Sequence, residues 1–189
     1  MINHDSDDYI KSPDEWQPLP GSLEAIARLC RADYTVIVAT NQAGVGRGLF
    51  SLDMLIRIHS KMASRIRDKG GRLDSVFFCP HSPANQCDCR KPKPGMLLEI
   101  SNRLGIGLSG VPVVGDSLRD LEAAAAAGAI PVIVQTGRGR LTQEKLSQGE
   151  LSHTLGQTAV YADLAEFTEA VLDGQLESVA GHTNLGPHH

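Results

Sequence analysis

Three apolar runs constrain this chain more than any other feature: "YTVIVAT" at 34–40, "VPVVGD" at 111–116 and "IPVIVQT" at 130–136. They are rich in β-branched residues and do not alternate between apolar and polar. A strand of that kind is buried on both faces, which is the condition of a parallel strand covered by helices above and below. The segments between them have helical spacing. "SLEAIARLCRA" places Leu23, Ile26, Ala27 and Cys30 on one stripe, with Ser22 as its expected cap, and 52–69 is a long amphipathic helix ending at Gly70-Gly71. "SVFFC" and "TAVYA" read as further strands, and 96–104, "LRDLEAAAAAG" and "DLAEFTEAVLDG" as helices. Strands alternating with helices predict an α/β fold: an open, Rossmann-like parallel sheet with right-handed crossovers and helices on both faces.

With 189 residues, the length suits about one domain. The expected division is a globular domain over 1–173 and a flexible tail over 174–189, "GQLESVAGHTNLGPHH", whose paired terminal histidines read as a frayed end. A net charge of −4 argues against a basic nucleic-acid surface, so no nucleic-acid partner is expected. No apolar run approaches the ~18 residues that cross a bilayer, and nothing at the start resembles a signal peptide. Three of the four cysteines crowd into one loop, which suits metal binding in a reducing compartment, so the expected location is cytoplasmic.

In an open α/β sheet the working residues lie just past the carboxyl ends of the strands. Three strands end in polar chemistry here: "VIVAT-NQAGVGRG", "VFFC-PHSPANQCDCRKPKPG" and "PVVGD-SLRD". In the second, Cys79, His81, Cys87 and Cys89 form C-x-H-x5-C-x-C, a complete Cys₃His set of the kind zinc prefers. Four ligands leave no open position for a reactive water, so a structural zinc is expected. Arg90 and Lys91 follow in a proline-stiffened turn. They offer positive charge to an anion, or form a solvated basic turn. The glycines of 40–48 let main-chain N–H groups converge on phosphate oxygens beside the Thr40 hydroxyl, or make a mobile turn. Asp116 at a strand tip is a hard oxygen donor for Mg²⁺. Asp120 either shares that face or complements its helix dipole.

Thr40 at a strand end, Lys91 in K-P-x-P and the G-D-x-x-x-D of Asp116 and Asp120 resemble three motifs of the haloacid dehalogenase superfamily of phosphohydrolases. The zinc loop running into C-R-K-P-x-P-G-M resembles more narrowly the branch that holds the heptose bisphosphatases and the histidinol phosphatases. The resemblance spans about residues 2–136. It implies a capless, Mg²⁺-dependent phosphoric monoester hydrolase with Zn²⁺ in its loop, monomeric, removing the C7 phosphate of D-glycero-D-manno-heptose 1,7-bisphosphate on the route to lipopolysaccharide. Thr40 and Lys91 would stabilise the phosphoryl group and Asp116 would ligate Mg²⁺. Arg90, Asn41, Gln42, Ala43 and Ser117 would contact substrate, and the acidic opening with Asp5, Asp8 and Tyr9 would lie near sugar hydroxyls. Ser117 stands where heptose phosphatases of this kind often carry lysine.

The family's first motif, a strand ending D-x-D-G-[TV]-I-N, matches only at Met1-Ile2-Asn3. Its first aspartate is the nucleophile and its second the general acid and base. Asp5, Asp7 and Asp8 lie beyond the strand tip that would aim such a group. The expectation is therefore that the 189 residues are inactive by themselves, and that the start was assigned at an internal codon. By the same resemblance the absent strand would lie between those ending at Thr40 and Asp116. Two other readings stay open: a histidinol-phosphate phosphatase, and a non-catalytic, zinc-stabilised module that binds phosphorylated sugars.

Overall fold

A computed structural model describes residues 1–148, 155 and 158–178. Elements follow in the order α1 (Ser22–Arg31), β1 (Ile37–Asn41), α2 (Ala43–Gly46), α3 (Leu52–Asp68), β2 (Ser75–Cys79), α4 (Gly95–Leu104), β3 (Pro112–Gly115), α5 (Leu118–Ala126), β4 (Ile130–Val134), α6 (Gly139–Ser147), β5 (Ala159–Tyr161) and α7 (Leu164–Leu172). Short 3₁₀ turns occupy Pro83–Asn85 and Gln175–Ser178. The rest of the expected tail, 179–189, falls outside the described residues. Among those described, no helix is long and apolar enough to cross a membrane.

Every strand pairing is parallel, as the unbroken apolar runs required. The sheet is in two pieces, however: β1 pairs with β2, and β3, β4 and β5 form a second sheet in that order. Side chains alternate between two apolar layers. Val38, Val76, Val114 and Val132 pack with Ile26, Ile58, Ile66 and Phe167 of α1, α3 and α7. Ile37, Ala39, Phe77 and Val113 pack with Leu97, Ile100, Ala123 and Ala124 of α4 and α5. A smaller cluster of Leu121, Ile133 and Leu155 closes the far side.

Two expectations need correction. Ser22 is not the cap of α1. Gly21 holds that position at φ 76, and the Ser22 hydroxyl instead donates to the carbonyls of Ile2 (2.7 Å) and Leu19 (2.8 Å), tying the opening segment to the helix. The first strand also starts later than its apolar run. The Tyr34 N–H caps the preceding helix on Leu29 and its side chain is exposed, while Val36 exchanges bonds with Asp74 before the ladder begins. Sequence periodicity missed α6 and the one-turn α2 altogether.

Ile26 is 1% exposed at the centre of the larger layer. Ile26→Ala should therefore cost about 2–5 kcal/mol, from lost transfer energy plus the cavity left behind. Urea unfolding followed by the fluorescence of Trp16, the chain's one tryptophan and itself buried, measures this directly.

Candidate active site

The ends of β1, β2 and β3 converge through side chains. Asn41, the last residue of β1, donates from Nδ2 to the Lys91 carbonyl (3.0 Å) and accepts from the Lys91 N–H at Oδ1 (3.2 Å). That amide grips the backbone of the loop after β2 on both polar groups. The ammonium of Lys91 is thereby carried over the gap. It donates to the Ala39 carbonyl at 2.7 Å and pairs with Asp120 Oδ1 at 2.6 Å, with both side chains nearly buried at 13% and 12% exposure. Asp120 stands in the first turn of α5, where its Oδ2 also accepts from the Ser117 N–H (3.1 Å) and hydroxyl (2.6 Å). It therefore does two of the jobs foreseen for it in part: it caps its helix, and it faces the crevice through Lys91.

Burial by itself would raise the Asp120 carboxyl. The Lys91 charge and the donors of Lys91 and Ser117 outweigh burial and hold the group below the usual carboxylate range.

Asp116 sits at the tip of β3, partly exposed. Its Oδ2 lies 3.5 Å from the Met1 ammonium and accepts the Arg138 N–H at 3.3 Å. Gly137, at φ 61, passes so close that an added Cβ would stand 2.0 Å from this oxygen, which explains a glycine here. A carboxylate at an open position, with one ammonium and one main-chain N–H beside it, fits Mg²⁺, which takes one or two carboxylates and completes its shell with water and phosphate oxygens.

Thr40 receives the Gln42 amide at Oγ1 (3.2 Å), and the Gln42 N–H bonds back to the Cys79 carbonyl at 2.7 Å. Ala43 is buried at the start of α2. Arg90 does not reach into the crevice as a free fork: it donates to the His81 carbonyl at 3.3 Å. Tyr9, in the left-handed region at φ 64, lies under the Arg47 guanidinium at 5.9 Å from its ring centroid. Asp8 is exposed, its N–H bonded to the Ser6 hydroxyl at 3.3 Å.

Arg138 escaped the sequence reading. It binds Asp5 from Nε (2.8 Å) and Asp7 from a terminal nitrogen (2.9 Å), fastening the acidic opening beside Asp116. The signal was present, because "IPVIVQT-GRGR" is a fourth strand end followed by polar residues. The rule used for three strand ends applies there too.

The Cys79, His81, Cys87 and Cys89 ligand atoms all lie within 4.8 Å of one another. The sulfurs are 3.6 Å (Cys79 to Cys87), 3.3 Å (Cys79 to Cys89) and 3.5 Å (Cys87 to Cys89) apart. His81 Nδ1 stands 3.7 Å from Cys79 and 3.4 Å from Cys89. Tetrahedral ligands ~2.0–2.3 Å from a shared centre are about 3.3–3.8 Å apart, so this cluster has the edges of a metal-sized tetrahedron. The crowded thiols shift in opposite directions, with Cys87, despite burial, lowered by hydrogen bonds from its neighbours. Cys89 is pushed up to about 12, by burial first and then by its neighbouring thiols.

These contacts give a pH signature. A carboxyl depressed in the folded chain contributes stability that is complete above its unfolded value of ~3.9 and is lost as pH falls through the lower folded value. Asp120→Asn leaves the Lys91 ammonium buried without a counter-charge and should cost about 3–5 kcal/mol near neutral pH. In urea titrations across a pH series, that difference from the unsubstituted chain should shrink once pH drops below about 4.

Residues 88–167 match the family described as HAD-hydrolase-like, and residues 1–117 match that described as polynucleotide kinase 3 phosphatase. The D-glycero-beta-D-manno-heptose-1,7-bisphosphate 7-phosphatase of Bordetella bronchiseptica is 54% identical over 172 residues, covering 91% of this chain and 93% of that protein. The enzyme of the same name from Pseudomonas aeruginosa is 48% identical over 173 residues, at 91% and 93% coverage. A crystal structure of D,D-heptose 1,7-bisphosphate phosphatase from B. bronchiseptica complexed with magnesium and phosphate superposes with a TM-score of 0.86 at 53% identity, covering 92% of this chain and 94% of that one.

Proposed function

This chain belongs to the haloacid dehalogenase-like phosphatases, in the branch of the D-glycero-β-D-manno-heptose-1,7-bisphosphate 7-phosphatases, and from that premise we propose that its crevice binds heptose 1,7-bisphosphate for removal of the C7 phosphate. The observation that carries this reading is that Thr40, Lys91 and Asp116 line one cleft, with Lys91 set there by the two-point grip of Asn41. In this role the Thr40 hydroxyl and the Lys91 ammonium receive phosphoryl oxygens, and Asp116 holds Mg²⁺. When bound, magnesium supplies the charge that neutralises phosphate oxygens during displacement. Gln42 orients the Thr40 hydroxyl through its amide. Arg138 keeps Asp5 and Asp7 at the rim, where sugar hydroxyls would meet them.

Attack on phosphorus needs a further carboxylate. Asp5 and Asp7 are bound by Arg138, Asp8 is exposed and does not line the cleft, Asp116 is taken as the metal ligand and Asp120 neutralises Lys91. We therefore infer that these 189 residues bind and orient the phosphate without hydrolysing it. The reading also includes a monomer acting in the cytoplasm, on the supply of activated heptose for lipopolysaccharide.

Calorimetric titration in Mg²⁺ should show heptose 1,7-bisphosphate binding about tenfold or more tightly than histidinol phosphate, a difference of at least ~1.4 kcal/mol. The reverse order would favour the histidinol phosphatase reading. Turnover by the 189 residues alone would refute the missing carboxylate.

The tetrahedral cluster supports zinc as the metal of the Cys79–Cys89 loop, with a structural role, because all four positions are protein ligands. Elemental analysis should find about one zinc per chain. Cys89→Ser should lose most of that zinc and lower the thermal midpoint, because binding energy in a site absent from the unfolded chain is folding energy.

A further inference from the structure

We propose that Thr142 is a positioning residue for Asp116, its hydroxyl fixing from the first turn of α6 the residue whose carboxylate would hold magnesium. The proposal rests on Asp116 being the metal ligand, as the function proposed above has it.

β3 ends at Gly115, so Asp116 stands beyond the ladder and is not oriented by it. Among the described residues, no main-chain N–H donates to its carbonyl. The donor it receives is the Thr142 hydroxyl, at 3.0 Å. At the other end of the residue, Oδ2 accepts the Arg138 N–H at 3.3 Å. The Arg138 carbonyl in turn accepts the Thr142 N–H at 3.1 Å and the same hydroxyl at 3.2 Å. These bonds close a ring. The backbone and the carboxylate of Asp116 are both held by one turn of helix.

That turn is itself fixed on the sheet. Gly139, the first residue of α6, lies so near the end of β4 that an added Cβ would overlap the Val134 carbonyl. The position of α6 is thus set by a buried strand, and Thr142 passes it on to the tip of the neighbouring one.

A threonine inside a helix often bonds only the carbonyl four residues back. Such a bond is present here, but it is the longer of the two and serves a carbonyl that the Thr142 N–H already satisfies. At 6% exposure, valine would fill nearly the same volume and bring no hydroxyl that needs a partner. The Asp116 carbonyl is what accounts for the hydroxyl. Its placement matters for a hard cation, because Mg²⁺ demands near-octahedral geometry and groups that orient its ligands are worth about 10–100-fold in affinity.

The test titrates Mg²⁺ into the full 189-residue chain by calorimetry, with Thr142→Val, Thr142→Ser and Asp116→Asn beside it. Thermal midpoints are taken in Mg²⁺-free buffer. Thr142→Val should weaken Mg²⁺ binding about tenfold, and Thr142→Ser, which keeps the hydroxyl, should retain most of the affinity. A role in packing alone predicts the opposite order, since serine lacks the methyl group that valine keeps. Such a role would also move the thermal midpoint and leave the affinity unchanged. The proposal is overturned if Thr142→Val binds Mg²⁺ as tightly as the unsubstituted chain, or if Thr142→Ser binds it no better than Thr142→Val. Asp116→Asn tells this apart from failure of the underlying reading. Undiminished Mg²⁺ binding by that variant, or none by the unsubstituted chain, removes Asp116 as the ligand and the proposal with it.

Discussion

The ammonium of Lys91 must have a counter-charge, and most of the crevice follows from how it gets one. At 13% exposure it cannot rely on water, and an isolated buried ammonium would cost several kcal/mol. Asp120 meets that need at 2.6 Å, but only because α5 begins directly after β3 and its first turn points back over the strand ends. The second partner, the Ala39 carbonyl, belongs to the other sheet. One cation therefore ties the two sheets together at their carboxyl ends, where no backbone ladder does so. Such a pair contributes little net stability compared with an apolar filling of the same volume. Its use is to fix where a positive charge stands.

The loop that delivers Lys91 has no regular structure beyond one 3₁₀ turn, so something else must set its height. Asn41 holds it from below through two backbone bonds, and the Cys79–Cys89 cluster gathers it from the side. Gly95 lets the end of the loop fold back on its middle, since an added Cβ would stand 2.4 Å from the Asp88 carbonyl. Cys79 is both the last residue of β2 and a member of the cluster. The metal-sized tetrahedron is thereby anchored to a buried strand, and positional order passes from the core to the cation.

Much of this was legible. Unbroken β-branched runs gave parallel strands, and helical spacing gave the long helices within a residue or so of their ends. The Cys₃His pattern picked out four ligands that do come together. What stayed hidden depends on contacts between distant segments. Ser22 resembles a cap in sequence, but a buried carbonyl of Ile2 competes for its hydroxyl and prevails. Arg90 and Lys91 look alike as adjacent cations. Yet Arg90 donates to the His81 carbonyl while Lys91 is steered inward by Asn41, a difference no local pattern encodes. Arg138 had a local signal, a strand end followed by polar residues, but its pairing with Asp5 and Asp7 at the opposite end of the chain had none.

The same geometry explains why phosphate would have to compete for its own binding groups. Lys91 is fully engaged between Asp120 and Ala39, Asp116 is occupied by the Met1 ammonium and the Arg138 N–H, and Thr40 accepts from Gln42. A dianion at this crevice gains the Lys91 charge only as Lys91 loosens from Ala39. Asp116 would repel it unless that carboxylate's charge were offset by the metal it would hold. On the proposed function anion and metal would be mutually dependent ligands: each would lower the electrostatic cost of the other, and by reciprocity of binding free energies each would raise the other's affinity by the same factor.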